Sequence, residues 1–337
     1  MAHNNSFDFP AFCFHLPDPF FQQAHLRYIS NLITSVLNAF FAPFAVIANV
    51  LVCFAIIVNP SLRSPSCLLI ACLAFSDILV SGIVQPSYIA CRLGEIHQGY
   101  VRCMTRILYA KGFYICYGVS VTTLSAISFE RYLALRLHLR YKGLVTAKRV
   151  LMVIIFIWVL NIALASLQWV HNAIARGLHL FSWLAFLIIA VISQLKIHVI
   201  VRHHRRQLMR QQLPLSSSSH HNFKTQVKLA VDIAYVVGIY FLFNLPVLVV
   251  TALHQLVMGH IDTYDYYSWS ETVAFLNSFI NPLIFLWQSQ EIRDAVRKLL
   301  RDRLCKKGDP ESSKDPSRVR GKFEIPPNLS TERLRKY

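Results

Sequence analysis

Seven long apolar runs constrain this chain more than any motif in it. Asn31 to Val58 and Val150 to Val170 carry no charged residue, and Cys67 to Cys91 carries one, Asp77. Ile107 to Leu135 holds Lys111 with the pair Glu130 and Arg131, Leu178 to Val201 holds Lys196, Leu229 to Leu256 holds Asp232, and Trp269 to Trp287 holds Glu271. A bilayer core about 30 Å thick is crossed by about 20 helical residues, and in lipid every backbone amide needs an internal partner. The runs therefore predict an all-α membrane protein, a bundle of seven transmembrane helices. Composition agrees: 15% of the residues are charged, against about 25% in soluble domains. Eleven Gly without a period and eight Cys spread along the chain exclude collagen-like and disulfide-scaffold classes.

The formal net charge of +17 reports topology before it reports a partner. Alternate connecting segments hold 5 Lys and Arg against 26, with Lys111, Arg131 and Lys196 inside runs. The positive-inside rule then predicts an extracellular N-terminus and a cytoplasmic C-terminus. The organisation expected is an extracellular segment 1–30, a transmembrane domain 31–288, an amphipathic cytoplasmic helix 289–305 and a disordered cytoplasmic tail 306–337. Residues 1–30 lack the basic start and short apolar core of a cleaved signal peptide, so the first run is expected to act as its own signal anchor. The Asn4-Asn5-Ser6 sequon lies on the side that is glycosylated. From Glu291 to Cys305 the apolar residues fall on one helical face, as in a helix lying along a membrane leaflet. Cys305 reads either as a palmitoylation site or as a free thiol. The basic excess is assigned to topology and anionic lipid, and no nucleic-acid partner is expected.

Polar residues inside a membrane are costly and mark function by default. In order, the runs hold Asn49, then Ser76-Asp77, then Glu130-Arg131-Tyr132 at the inner end of the third, then Trp158. The sixth holds Phe243-Asn244-Leu245-Pro246, and the seventh Asn277 followed by Asn281-Pro282-Leu283-Ile284-Phe285. Five such motifs in this order resemble the rhodopsin-like, class A, G-protein-coupled receptors over about Asn31 to Cys305. The stretch from Leu139 to Thr146 looks like the adenosine and melanocortin branch, and the short connection from His171 to Gly177 is more melanocortin-like.

The resemblance implies roles for these residues. Glu130, Arg131 and Tyr132 would serve coupling to a heterotrimeric G protein, with arrestin a further partner; Pro246, Asn281, Pro282 and Phe285 would serve the helix movements of activation. Ser120 lies eleven residues before Arg131, three helical turns, and so near mid-membrane with Asp77, Asn277 and Asn281. In the family such a cluster binds an allosteric sodium ion; an interhelical hydrogen-bond network is the simpler reading. Arg131 also reads, without the family, as a snorkelling arginine at a helix end. Ligand-contact candidates are Phe113, Tyr117, Asn244, Thr251 and Glu271, with Tyr88, Trp183 and His254 behind them. Glu271 would hold a cationic ligand group or be an interfacial acid.

Several residues depart from the family. Asn244 stands where an aromatic toggle is usual, Phe285 where a tyrosine is usual, and Phe113 where aminergic receptors carry an aspartate. Thr251 stands where adenosine receptors use an asparagine. An acid pairing with Arg131 from the base of the sixth helix is missing, which predicts raised ligand-independent activity; Asp232 and Lys196 are expected to form an intramembrane ion pair. Cys103 sits three residues from the family position, and no Cys lies between His171 and Leu178. Cys13, Cys91 and Cys103 are the cysteines facing the oxidising side, and Cys91–Cys103 is the preferred bridge.

The function expected is a plasma-membrane receptor that passes binding of an extracellular ligand to a heterotrimeric G protein. The rivals are a degenerate receptor kept as a dimerisation partner and, further off, a channel or transporter, for which no inverted repeat or Gly-interrupted helix pair is seen. No nucleophile elbow, phosphate loop or spaced His/Cys cluster points to an enzyme.

Overall fold

The computed structural model describes Cys13, Leu16 and residues 24–97, 101–137, 140–211, 238–256 and 264–305. The helices are α1 (Ala24–Val58), α2 (Pro65–Leu79), α3 (Gln85–Ile96), α4 (Cys103–Leu137), α5 (Tyr141–Leu144), α6 (Ala147–Leu167), α7 (Asn172–Gln211), α8 (Gly238–Leu256), α9 (Tyr264–Gln288) and α10 (Gln290–Cys305). Among the described residues the only β pairing is an isolated bridge between Cys13 and Leu16. Residues up to Val296 form one compact unit, and Arg297–Tyr337 a second, described only in the continuation of α10.

Six helical stretches are long and apolar enough to cross a membrane: α1, α2 running on through α3, α4, α6, α7 and α8. The seventh is α9, whose 25 residues give about 37 Å of helix. It is not among those six because it supplies Ser268, Ser270, Glu271, Thr272, Asn277, Ser278 and Asn281, all buried, to the interior. The outward faces are apolar, as with Phe40, Phe44 and Ile47 on α1 and Ile155, Phe156 and Val159 on α6. This inside-out distribution is what a lipid solvent dictates.

Local chemistry sets the helix ends. Ser64 accepts from the Cys67 amide with Pro65 at the first position of α2, and Thr146 accepts from the Arg149 amide at the start of α6, both standard N-caps. Between α2 and α3 the chain makes one π turn, Val80–Val84. Pro86 follows immediately and has no N–H for a preceding carbonyl, so the helix widens there instead of breaking. Packed against α2, α3, α6 and α7, α4 is the centre of the bundle. Ile292 and Val296 of α10 are buried against Val52, Ala55, Ile56 and Leu62. The apolar face of α10 therefore begins as a packing surface of the bundle and is not given over wholly to a membrane leaflet.

Helix boundaries differ from the apolar runs where charged residues are helical. Ala24 opens α1, seven residues before Asn31, and α3 continues past Cys91 to Ile96, which brings Arg92 and Glu95 into the bundle. The disulfide is a correction: Cys13 bridges Cys103, with Cα atoms 5.3 Å apart, and Cys91 is a free, buried thiol. A bridge needs Cα atoms within about 7 Å, which Cys13 provides at the first residue of α4, whereas Cys91 belongs to the packed face of α3. Asn4, Asp232 and residues 306–337 lie outside the described residues, as does the side chain of Cys305.

Candidate functional site

Asp77 is the anchor of the interior. Its Oδ1 accepts from the Ser278 hydroxyl at 2.8 Å and its Oδ2 from the Asn281 amide at 2.9 Å. The Asn49 amide donates to the Ser278 carbonyl at 2.7 Å, so one carboxylate and one amide tie α1, α2 and α9 together. The hydroxyls of Ser76 and Ser120 are 3.1 Å apart, which adds α4. Beside them is a cavity of about 20 Å³ lined by Asp77, Ser120, Asn277, Tyr117, Tyr240 and Asn244 among others. One water needs about 10–15 Å³, so the space suits one small guest.

Both side-chain polar atoms of Asn277 are buried without a hydrogen-bond partner, and the residue lines this cavity. A carboxylate, a hydroxyl and an amide oxygen around such a space fit a hard monovalent cation. Of the four residues read from the sequence, Asp77, Ser120 and Asn277 line the cavity, and Asn281 reaches it through Asp77. Ser278 was not singled out; its position one helical turn before Asn281 was the available signal.

On the side of Phe113 the cavity is walled by rings. Phe113 stacks on Tyr117 at 5.4 Å and meets Phe275 edge-on at 5.8 Å. Tyr117 in turn meets Trp183 at 4.5 Å. Asn244 donates to the Tyr240 carbonyl at 2.6 Å, and its Oδ1 has no partner. The residue in the toggle position thus binds its own helix, two residues before Pro246, and presents a polar atom where an aromatic ring would sit. Thr251 is buried, and His254 lies 5.6 Å from the Tyr267 ring. Phe285 is buried in the same core.

At the other end of α4, Arg131 Nε lies 3.4 Å from Glu130 Oε2, while the Tyr141 hydroxyl donates to Glu130 Oε1. Burial, and next the Glu130 carboxylate, push the Tyr141 phenol well above its ordinary range, so it remains the donor. Tyr132 accepts from Arg136 at 2.6 Å, and Lys196 Nζ lies 5.4 Å from the Tyr132 ring centre.

Glu271, expected to meet a ligand cation, faces a cation of the chain itself: Arg92, at 3.9 Å. The Tyr109 hydroxyl donates to the same carboxylate. A second network was not anticipated: Asn38 donates to Thr272 at 3.0 Å and Gln85 donates to Asn38 at 2.9 Å, while the Tyr88 hydroxyl donates to the Ser268 carbonyl at 3.2 Å. The polar seam between α1, α3 and α9 therefore extends from Asp77 up to Arg92.

Comparison with known proteins agrees with this geometry. The description "7 transmembrane receptor (rhodopsin family)" matches residues 48–177. Adenosine receptor A2a of Homo sapiens is 25% identical over 304 residues, covering 80% of this chain and 72% of that receptor. The same receptor of Canis lupus familiaris is 24% identical over 303 residues, with 80% and 72% covered, and that of Cavia porcellus 24% over 300, with 79% and 72% covered. The chain is thus a multi-pass membrane protein similar to the rhodopsin family of seven-transmembrane receptors, with adenosine receptors among its relatives.

Proposed function

We propose that this receptor acts at the plasma membrane, N-terminus outside, and passes the binding of an extracellular ligand to a heterotrimeric G protein at its Arg131 end. The observation that carries the reading is the Tyr141–Glu130–Arg131 chain of contacts. It holds the arginine of α4 against its own helix by an ion pair and one hydrogen bond, a restraint that helix movement can release. The Cys13–Cys103 bridge supports the orientation, because disulfides persist on the oxidising side. A ligand binds in the half of the bundle between that bridge and the Phe113–Tyr117–Trp183 wall. It acts by its different affinity for the resting and released states. Asp77, Ser120, Asn277 and Asn281 would hold a sodium ion, which supplies a fixed positive charge opposite Asp77 when bound. Adenine recognition as in the relatives named for adenosine is disfavoured by Thr251, which offers one hydroxyl and no amide.

The test is basal cyclic AMP and calcium in cells expressing the wild type and Arg131→Ala at matched surface levels. Basal output that vanishes in the variant supports the reading. Output equal in wild type, variant and mock-transfected cells, with no G-protein recruitment under any ligand, would favour a non-signalling partner, for which Asn244 and Phe285 are the observations.

A further inference from the structure

The charged cluster at the disulfide end of the bundle is built around one guanidinium. Arg92 is 4% exposed and lies over the ring of Tyr264 at 4.4 Å and that of Tyr88 at 4.7 Å. Its Nη2 donates to the Tyr109 hydroxyl at 3.3 Å. Two carboxylates face it, Glu95 at 3.7 Å and Glu271 at 3.9 Å, whereas a charge-assisted hydrogen bond closes to about 2.7–2.9 Å. Its Nε is buried without a hydrogen-bond partner. Glu271, 7% exposed, accepts from the Tyr109 hydroxyl and, among the described residues, has Arg92 as its ion-pair partner. An arginine with five donors is here held by ring faces and one phenol, opposite two carboxylates it meets only loosely.

Resting on the reading that a ligand binds this half of the receptor, we propose that Arg92 and Glu271 are the two halves of a recognition site for a small zwitterion, an amino acid or aminosulfonate. Its acid group binds the Arg92 fork and its ammonium binds Glu271. Charge arithmetic selects this class. Breaking a buried ion pair leaves an uncompensated charge, which is strongly unfavourable. A simple amine that draws Glu271 away strips Arg92 of one counter-charge and returns none. A simple acid does the reverse. A zwitterion replaces one loose pair with two close ones and leaves the site's net charge unchanged.

The walls suit the same guest. Tyr88 and Tyr109 stand 5.4 Å apart and Tyr88 and Phe275 5.6 Å apart, edge to face, and ring faces attract an ammonium. These rings close the site toward the core, so the ligand has few heavy atoms. Arg92, Tyr109 and Glu271 lie within about two turns of the ends of α3, α4 and α9 nearest the disulfide, so the site is close to the bundle's end although both charged groups are buried. The remaining acid, Glu95, accepts from the Asn31 amide at 3.1 Å and from the Tyr264 hydroxyl, and Arg27 lies 4.0 Å from the Tyr264 ring centre.

Thermal unfolding of the full-length receptor in neutral detergent tests this, with glycine, β-alanine, 4-aminobutanoate and taurine as probes and methylamine and acetate as controls. At least one zwitterion at millimolar concentration raises the midpoint by several degrees, and neither control does. Arg92→Lys, which keeps the charge and loses the fork, weakens the apparent affinity about tenfold. The double variant Arg92→Gln/Glu271→Gln removes both charges together, leaves none unpaired in the pair, and abolishes the shift. No shift with any zwitterion, an equal shift with methylamine, or a shift that survives in the double variant overturns the proposal. The readout involves no G protein, so a zwitterion shift without Arg131-dependent signalling would overturn the function proposed above and leave this site standing.

Discussion

Asn281 donates to Asp77 at 2.9 Å, and that single hydrogen bond joins the residue preceding the α9 proline to the last turn of α2. Ser278 donates to the other oxygen of the same carboxylate, so α9 is held on both sides of the turn that leads into Pro282. A proline inside a helix loosens the preceding turn. The carboxylate therefore fixes the most deformable stretch of α9 against the rest of the bundle, and it does so beside the cavity.

Asp77→Ala removes the acceptor of two buried donors. Each donor left unsatisfied costs about 1–3 kcal/mol, so the variant unfolds several degrees lower than the wild type. Asp77→Asn keeps one acceptor and has an intermediate effect. If the cavity takes sodium, exchange of sodium for N-methylglucamine lowers the wild-type midpoint and leaves that of Asp77→Asn in place. A wild-type midpoint indifferent to sodium would remove the ion and keep the network.

Tyr141→Phe deletes the donor that holds Glu130 without changing the volume of the ring. Hydrogen bonds to charged groups contribute about 1.5–3 kcal/mol, so the Glu130–Arg131 restraint weakens by up to that amount. Basal second-messenger output at matched surface expression should rise several-fold over the wild type. Unchanged output would mean that Tyr141 orders the short α5 segment and has no part in restraining Arg131.

Much of the framework was legible because a helix facing lipid has to be apolar for about 20 residues, and the seven runs record that requirement directly. The Asp77 cluster was legible for the complementary reason: polar residues in such runs are few, and helical periodicity places them at one depth. Arg92 was not legible as an interior residue because the apolar run stops at Cys91 while the helix continues to Ile96. A charge paired inside the bundle does not look different, in one dimension, from a charge in water. The Asn38–Gln85–Thr272 network escaped notice likewise, since its members are 47 and 234 residues apart and no local pattern links them. The partner of Cys103 lies 90 residues away, and sequence proximity favoured Cys91 for no physical reason.

The bridge makes its own prediction. Cys13→Ser and Cys103→Ser each lose the same cross-link and should lower the unfolding midpoint equally, the expected stabilisation from a long closed loop being about 2–4 kcal/mol. Cys91→Ser should leave the disulfide and its protease-resistant linkage of the N-terminal segment to α4 intact. Non-reducing electrophoresis after cleavage between residues 24 and 97 reads this directly. Loss of the linkage in Cys91→Ser would return the pairing to Cys91–Cys103.

Among the described glycines, Gly118 is the one where packing leaves least room. A Cβ there would lie 2.0 Å from Asn161 Oδ1 and 3.2 Å from Trp183 Nε1, and Asn161 is fully buried while donating to Thr122 and to the Ile157 carbonyl. Asn161 cannot swing aside without giving up these bonds, so Gly118→Ala forces α4 and α6 apart. Overpacking of a well-filled core costs about 1–3 kcal/mol, and the variant should show reduced surface expression and a lower unfolding midpoint. Asn161→Ala alone should destabilise by leaving space beside Gly118. The double variant Gly118→Ala/Asn161→Ala places the added methyl where the amide was, so its midpoint should lie above that of Gly118→Ala. Additive losses in the double variant would show that the two residues do not compete for the same space.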